Sequence, residues 1–263
     1  MAHEVSFHDI EVPAVNIHVR KIGLDDLWQS LREGYDDFNA RPSHFAFLLI
    51  IYPLFALFLT SFLVGGKLLH FAFPMVAGFT LLGPVISVAL FEVSRRRELG
   101  LDLSWESAFS FVHSSAFAPI TALSVIMMLL YVGWLYLAQL IYVGTIGVDP
   151  PASFAEFVNQ VLTTRRGGAL VAYGTFVGFL FAFAALAISV IAFPLLLDKP
   201  TTSVTAIIVS IRAVTSNLFP MAVWGFTVAV LLAAGAAIFL VGLIAVLPIL
   251  GHATWHLYRK VIE

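Results

Sequence analysis

Two histidines one helical turn apart, His252 and His256, lie in the stretch GHATWHLYRK (251–260), with Trp255 between them and Arg259 and Lys260 just beyond. On a helix, residues four apart project from the same face, and imidazole suits zinc, copper or haem iron. Two ligands on one helix do not make a metal site, so others must be brought in. Glu92, His113 and Asp198 are the acids and the histidine that map to the same face of the membrane. Against a metal stands the missing acid: an isolated H-x-x-x-H lacks the glutamate of H-E-x-x-H. The alternative is an aromatic, half-polar belt of His252, Trp255, His256 and Tyr258 at a membrane interface. That is the expectation here, with no metal and no cofactor. Glu92 has Arg95 and Arg96 three and four residues on, which suits a local ion pair. The candidate functional cluster is thus Glu92, Arg95, Arg96, His113, Asp198, His252, Trp255, His256 and Arg259.

The elements that position these residues follow from composition. Of 263 residues, 60% are hydrophobic and 11% charged, where a soluble domain has about 25% charged. Mean hydropathy is +0.96. The lipid bilayer is the first partner. A formal net charge of -2 offers no case for a nucleic-acid partner. With no cysteine, disulfides, thiolate metal sites and cysteine nucleophiles are excluded. The N-terminus has neither the basic start nor the apolar run of a cleaved signal peptide. No G-x-S-x-G, Walker loop or G-x-G-x-x-G occurs, so the chain is not expected to be an enzyme.

A bilayer crossing needs about 20 apolar residues. The runs 45–66 and 68–91 are parted only by Lys67, and 116–148 and 167–197 each hold one more span. The uncharged run 213–258 is too long for one crossing, and its turn is placed near Gly235 in AAGAA. Six spans result, with residues 1–43 as a cytoplasmic segment and 44–263 as the membrane domain. With both termini cytoplasmic, eleven of the fourteen basic residues lie inside, as the positive-inside rule requires; five spans would put Arg259 and Lys260 outside.

Three segments that precede membrane hairpins share an amphipathic helical pattern and end at Pro42, Pro119 and Pro220. The first aligns Leu24, Leu27, Trp28, Leu31 and Tyr35; the second Trp105, Phe109 and Val112; the third Val204, Ile207, Ile208, Ile211 and Val214. Ser104 and Ser203 suit N-caps. Each helix is expected in the cytoplasmic interface, apolar face towards lipid. Pro84 and Pro248 each stand eleven residues before an arginine, and overlaying the two hairpin ends sets Glu92 opposite His256. The expected fold is an all-α integral membrane protein: a six-helix transmembrane bundle of three degenerate hairpin repeats, each preceded by an interfacial amphipathic helix. The alternative is that any span entered from an interfacial helix looks this way. The loop 145–168 holds a helical candidate from Ser153 to about Thr163.

The stretches LLGPVISVALFEVSRRRELGLDLSW, FPLLLDKPTTSVTAIIVSIRAVTSNLFPMAVWG and LPILGHATWHLYRK resemble the bacterial integral membrane family catalogued as domain of unknown function 2189, from about Val19 to Arg259. Gly83-Pro84, Glu92, Ser94-Arg95-Arg96, Gly100, Asp198, Asn217, Trp224, Gly251-His252 and Trp255-His256 carry the likeness; Ala89-Leu90-Phe91 departs from it. The resemblance implies a multi-span inner-membrane protein of unassigned activity. Labels on some relatives invoke cytochrome c oxidase subunit I, which implies a respiratory complex as a partner. A haem-copper subunit itself needs twelve spans and intramembrane histidine ligands, and this chain has neither.

The span interiors contain no Asp, Glu, Lys or Arg, although charges in mid-membrane are the usual marks of ion-coupled transport. The functional expectation is therefore an accessory, scaffold or assembly component packing against other membrane proteins, with 24 phenylalanines to do so. The alternative is a transporter or lipid-handling protein for a neutral or lipidic substrate, opened at Pro53, Pro84, Pro194 and Pro248. His256 is expected to meet Glu92 and Arg259 to reach lipid headgroups. Gln139 and Asn217 are expected to bond between helices.

Overall fold

The structure, a computed structural model, describes residues 17–40, 69–149, 151, 153–237 and 242–263. The expected first span, 45–66, and Pro53 lie outside the described residues. In chain order the helices are α1 (Leu24–Ala40), α2 (Ala72–Phe79), α3 (Gly83–Ile86), α4 (Val88–Glu98), α5 (Trp105–Ala108), α6 (Phe117–Thr145), α7 (Phe154–Thr163), α8 (Arg165–Ser189), α9 (Ala192–Asp198), α10 (Ser203–Ser216), α11 (Leu218–Ala237) and α12 (Leu243–Val261). No strand occurs among the described residues, only an isolated antiparallel bridge between Val19 and Ile262.

Among the described residues, four helical runs are long and apolar enough to cross a membrane: Ala72–Glu98, Phe117–Thr145, Arg165–Asp198 and Leu218–Ala237. The first runs through α2, α3 and α4, with a 3₁₀ turn at Thr80–Leu82 before Gly83-Pro84, because proline has no N–H to continue the ladder. It ends at Gly100, whose φ of +67° suits glycine. There Gly100 N–H donates to Arg97 O at 3.1 Å and Leu101 N–H to Arg96 O at 2.9 Å, a Schellman stop. The α2 segment is held to α6 at Gly78, where a Cβ would come within 2.4 Å of Trp134. Trp134 in turn donates its indole N–H to Pro74 O at 2.8 Å.

The stretch expected to be the last span forms the helix α12, which carries Pro248 inside it. With His252, His256, Arg259 and Lys260 in its second half, α12 is not one of the four apolar runs. Gly235, where the reversal was expected, is still helical within α11, and Gly242 at the start of α12 backs onto its backbone so closely that a Cβ would lie 2.7 Å away; the residues between, 238–241, lie outside the described ones.

α1 and α10 pack by their small residues and turn their large ones outward. α1 buries Leu27, Ser30, Gly34 and Asp37 while Leu24, Trp28 and Tyr35 stay exposed. α10 buries Ala206, Val209, Ser210, Ala213 and Val214 while Val204, Ile208 and Ile211 stay exposed. The expected middle amphipathic helix is only α5 and a 3₁₀ turn, Ser110–His113. Its serines bond locally instead: Ser107 Oγ donates to Asp102 and Ser104 carbonyls, and Ser114 Oγ to Phe111 O. Such side-chain bonds compete with the helical ladder. Ser104 caps α5, as expected, by accepting from Ser107 N–H at 3.2 Å. For α10 the cap is Thr202, one residue earlier than expected, and Ser203 instead donates to Pro119 O at 2.8 Å. The loop helix α7 forms as read, with Ser153 accepting from Glu156 N–H at 3.2 Å.

Candidate functional site

The polar residues converge where α1 crosses the second half of α12 beside α4 and α9. The crossing is close because α1 has glycine at the contact. A Cβ on Gly34 would sit 2.4 Å from the Ala253 nitrogen. With α1 so near, carboxylates one turn apart, Glu33 and Asp37, face a histidine and a lysine one turn apart on α12. His256 Nε2 lies 2.9 Å from Asp37 Oδ2, and its Nδ1 lies 3.5 Å from Glu33 Oε2. Lys260 Nζ reaches Glu33 at 3.0 Å.

Asp37 is the hub. It is buried and also takes Arg97 of α4 as an ion-pair partner. Ser94 Oγ donates to Asp37 Oδ2 at 2.5 Å, and His252 Nδ1 lies 2.8 Å from the same Ser94 oxygen. Burial alone would raise the Asp37 pKa; hydrogen bonds from His256 and Ser94, and the nearby imidazoles, outweigh it and hold the carboxyl below its ordinary value. An ionised carboxylate only accepts, so the single Ser94 proton points to Asp37. The Ser94 oxygen thus lies between Asp37 and the fully buried His252 ring, which also meets the Leu90 backbone carbonyl.

A second group joins α4, α9 and α12. Tyr258 O–H donates to Asp198 at 2.6 Å, and Arg259 reaches Asp198 at 3.4 Å and Glu98 at 2.9 Å. Trp255 Nε1 donates to Glu98 at 3.2 Å. Glu92 is buried one turn behind Arg95 and Arg96, at 3.3 and 3.6 Å, with Ser110 Oγ donating to it at 3.3 Å.

Of the residues singled out from sequence, His252, Trp255, His256, Asp198 and Arg259 meet in this cluster, and Glu92, Arg95 and Arg96 form the local ion-pair group beside it. His113 is exposed on its 3₁₀ turn and joins neither. Among the described residues no three His, Asp or Glu side chains are arranged to hold a metal ion. Three expectations need correction. His256 meets Asp37 and Glu33, not Glu92, because α1 lies across α12 and Glu92 is already taken by its own helix neighbours. His252, Trp255 and Tyr258 are buried in protein and form no interfacial belt. Arg259 is taken by acids rather than headgroups. Asn217 does bond across elements, to the chain before α1: Ile22 N–H donates to its Oδ1 at 3.0 Å and its Nδ2 to Arg20 O at 2.9 Å. Gln139 Oε1 meets His70 Nε2 at 2.9 Å.

The candidate cluster read from sequence left out Glu33, Asp37, Ser94, Arg97, Glu98 and Lys260. The signal for the first two was the polar stripe Ser30, Glu33, Gly34 and Asp37, which lies beside the aromatic stripe on α1.

Helical runs of membrane length and apolarity, and acids paired at one end of them, define an all-α integral membrane protein. Residues 72–198 match the model of a family described as Predicted integral membrane protein (DUF2189). The match includes Gly83-Pro84, Glu92, Ser94, Arg95, Arg96, Gly100 and Asp198. No curated protein and no solved structure matches the chain.

Proposed function

We propose that the protein is an accessory or scaffold component of the bacterial inner membrane, not an enzyme, that packs against other membrane proteins. The observation that carries this reading is an outward ridge on α8, where Tyr173, Phe176, Phe179, Leu180 and Phe183 are exposed on a membrane-length helix. Rigid aromatic side chains give large contact area at low entropic cost. The polar cluster fits the same role, since its acids and bases are spent on one another and fasten α1 in place. A respiratory complex as the partner rests on the labels of relatives.

Six spans with both termini cytoplasmic belong to this reading. Arg20 N–H donates to Val261 O at 2.8 Å and Glu263 N–H to His18 O at 3.2 Å. Residues joined in this way share one side of a membrane, so an even number of crossings lies between them. The cationic residues Arg95, Arg96 and Arg97 are on that side, which supports its being cytoplasmic. α1 and α10, with their exposed Trp28, Val204 and Ile208, serve as interfacial helices.

Gentle detergent extraction and native gels test the partner, together with crosslinking in intact membranes. Co-migration with another membrane protein, abolished by Phe176→Ala and Phe179→Ala together, is the expected result. Migration solely as a small homomeric particle, unchanged by crosslinking, contradicts the reading. A lipid-handling role is the second reading, favoured by a half-apolar groove beside Glu92 and Arg95.

A further inference from the structure

α7 occupies the connection between two successive apolar runs, Phe117–Thr145 and Arg165–Asp198. These runs are antiparallel, with Trp134 of one against Gly178 of the other, so Thr145 and Arg165 lie at the membrane edge remote from Asp198 and the polar cluster. Two contacts hold α7 at that edge. Phe157 turns inward to Tyr142 of α6, with ring centroids 6.4 Å apart. Gly167 of α8 backs onto α7 so closely that a Cβ would lie 2.3 Å from the Gln160 and Val161 carbonyl oxygens.

The helix nevertheless buries none of its residues fully. Phe154 and Leu162 are 55% and 75% exposed, and with Val158 between them they share one side at intervals of one turn. Glu156 and Thr163 take the other side. Immediately beyond α7, Arg165 and Arg166 are exposed, and among the described residues no carboxylate pairs with either. The acids of the connection are at its far end. Asp149 precedes α7, and about 10 Å of helix separates Glu156 from the end of α7, more than the screening length of about 8 Å in physiological salt. The helix ends do not compensate the arginines either, since the C-terminus of α7 attracts cations and the N-terminus of α8 repels them.

An unpaired cationic pair beside an outward apolar side, at the edge of the spans, complements a surface with phosphate above and hydrocarbon below. A phospholipid leaflet offers both at that depth, whereas a protein would have to displace lipid to reach Leu162. We propose that α7 and Arg165-Arg166 form a docking face for anionic phospholipid on the membrane side opposite the polar cluster. Phe154 and Leu162 enter the acyl boundary, and the two guanidiniums take headgroup phosphates. This face requires no protein partner.

The full chain, reconstituted in vesicles of phosphatidylcholine with phosphatidylglycerol, provides the test. With no native cysteine, Leu162→Cys and Thr163→Cys can be compared by reaction with a membrane-impermeant maleimide; both positions are exposed on the protein, so only lipid separates them. Leu162→Cys is shielded and Thr163→Cys reacts. In native mass spectrometry, phosphatidylglycerol is retained in preference to phosphatidylcholine. That preference falls about fivefold on Arg165→Gln or Arg166→Gln and is kept in Arg166→Lys. Equal reactivity of the two cysteines, or an unchanged lipid preference in both glutamine variants, overturns the proposal whatever partner native gels reveal. Leu162→Cys that reacts in vesicles but is shielded in native membranes gives the face to a protein and overturns it as well.

Discussion

His256 on α12 and Asp37 on α1 lie 2.9 Å apart although 219 residues separate them in the chain. The contact joins α1 to α12. Each half is then held by a second contact: Asp37 by Arg97 and Ser94, His256 by Glu33.

Removing one member of such a buried group leaves the others uncompensated. Asp37→Asn should cost about 3 kcal/mol, and His256→Ala less, because its ring is partly exposed. A double-mutant cycle of thermal unfolding in detergent measures the coupling between them. Additive losses, with no interaction energy, would show that the pair does not fasten α1.

Acid should loosen α1. The Asp37 carboxyl is held below its ordinary value in the folded chain. Its contribution is therefore full above the unfolded value of about 4 and is lost as pH falls through the folded one. Proteolytic protection of the α1 segment should be flat near neutrality and decline below about pH 4. In Asp37→Asn that decline should shrink; an unchanged acid profile would mean that other carboxylates control it.

Gly34 cannot carry a side chain while α1 remains docked, since a Cβ would meet Ala253 backbone at 2.4 Å. Gly34→Leu should destabilise by about 1–3 kcal/mol through overpacking. Glu106→Ala, exposed on α5, serves as the neutral comparison. Equal melting temperatures for the two variants would place α1 elsewhere.

The histidine pair should act through packing and hydrogen bonds. Metal analysis of purified protein should find no zinc, copper or iron in stoichiometric amount, and His252→Ala should chiefly lower stability. Stoichiometric metal that disappears in both His252→Ala and His256→Ala would make this cluster a metal centre.

The positions of the four apolar runs could be read from residue order because lipid imposes length and apolarity on a span. The Ser153-capped helix was legible for an equally local reason. The partner of His256 was not. A repeat overlay gives depth within a hairpin, yet it carries no information about which helix crosses which. On α1 the aromatic stripe drew attention as a lipid-facing surface, and the opposite side was not read as a docking face. In the structure that stripe is the outward one, because only the side with Gly34 allows the close approach that brings Asp37 to His252 and His256. A helix docked on protein through Gly34 and Ser30, with Trp28 and Tyr35 turned outward, inverts the rule used for soluble helices.

The docking of α1 on α12 is open to one direct measurement, made clean by the absence of cysteine. Glu33→Cys and Lys260→Cys place thiols on residues now joined by a 3.0 Å ion pair. A short bis-maleimide applied to intact membranes should link them within one chain, with Asp37→Asn lowering the yield. The pair Arg166→Cys and Lys260→Cys, at opposite ends of the spans, should stay unlinked. Equal crosslinking of the two pairs, or none in either, would contradict the docked α1 on which the candidate site depends.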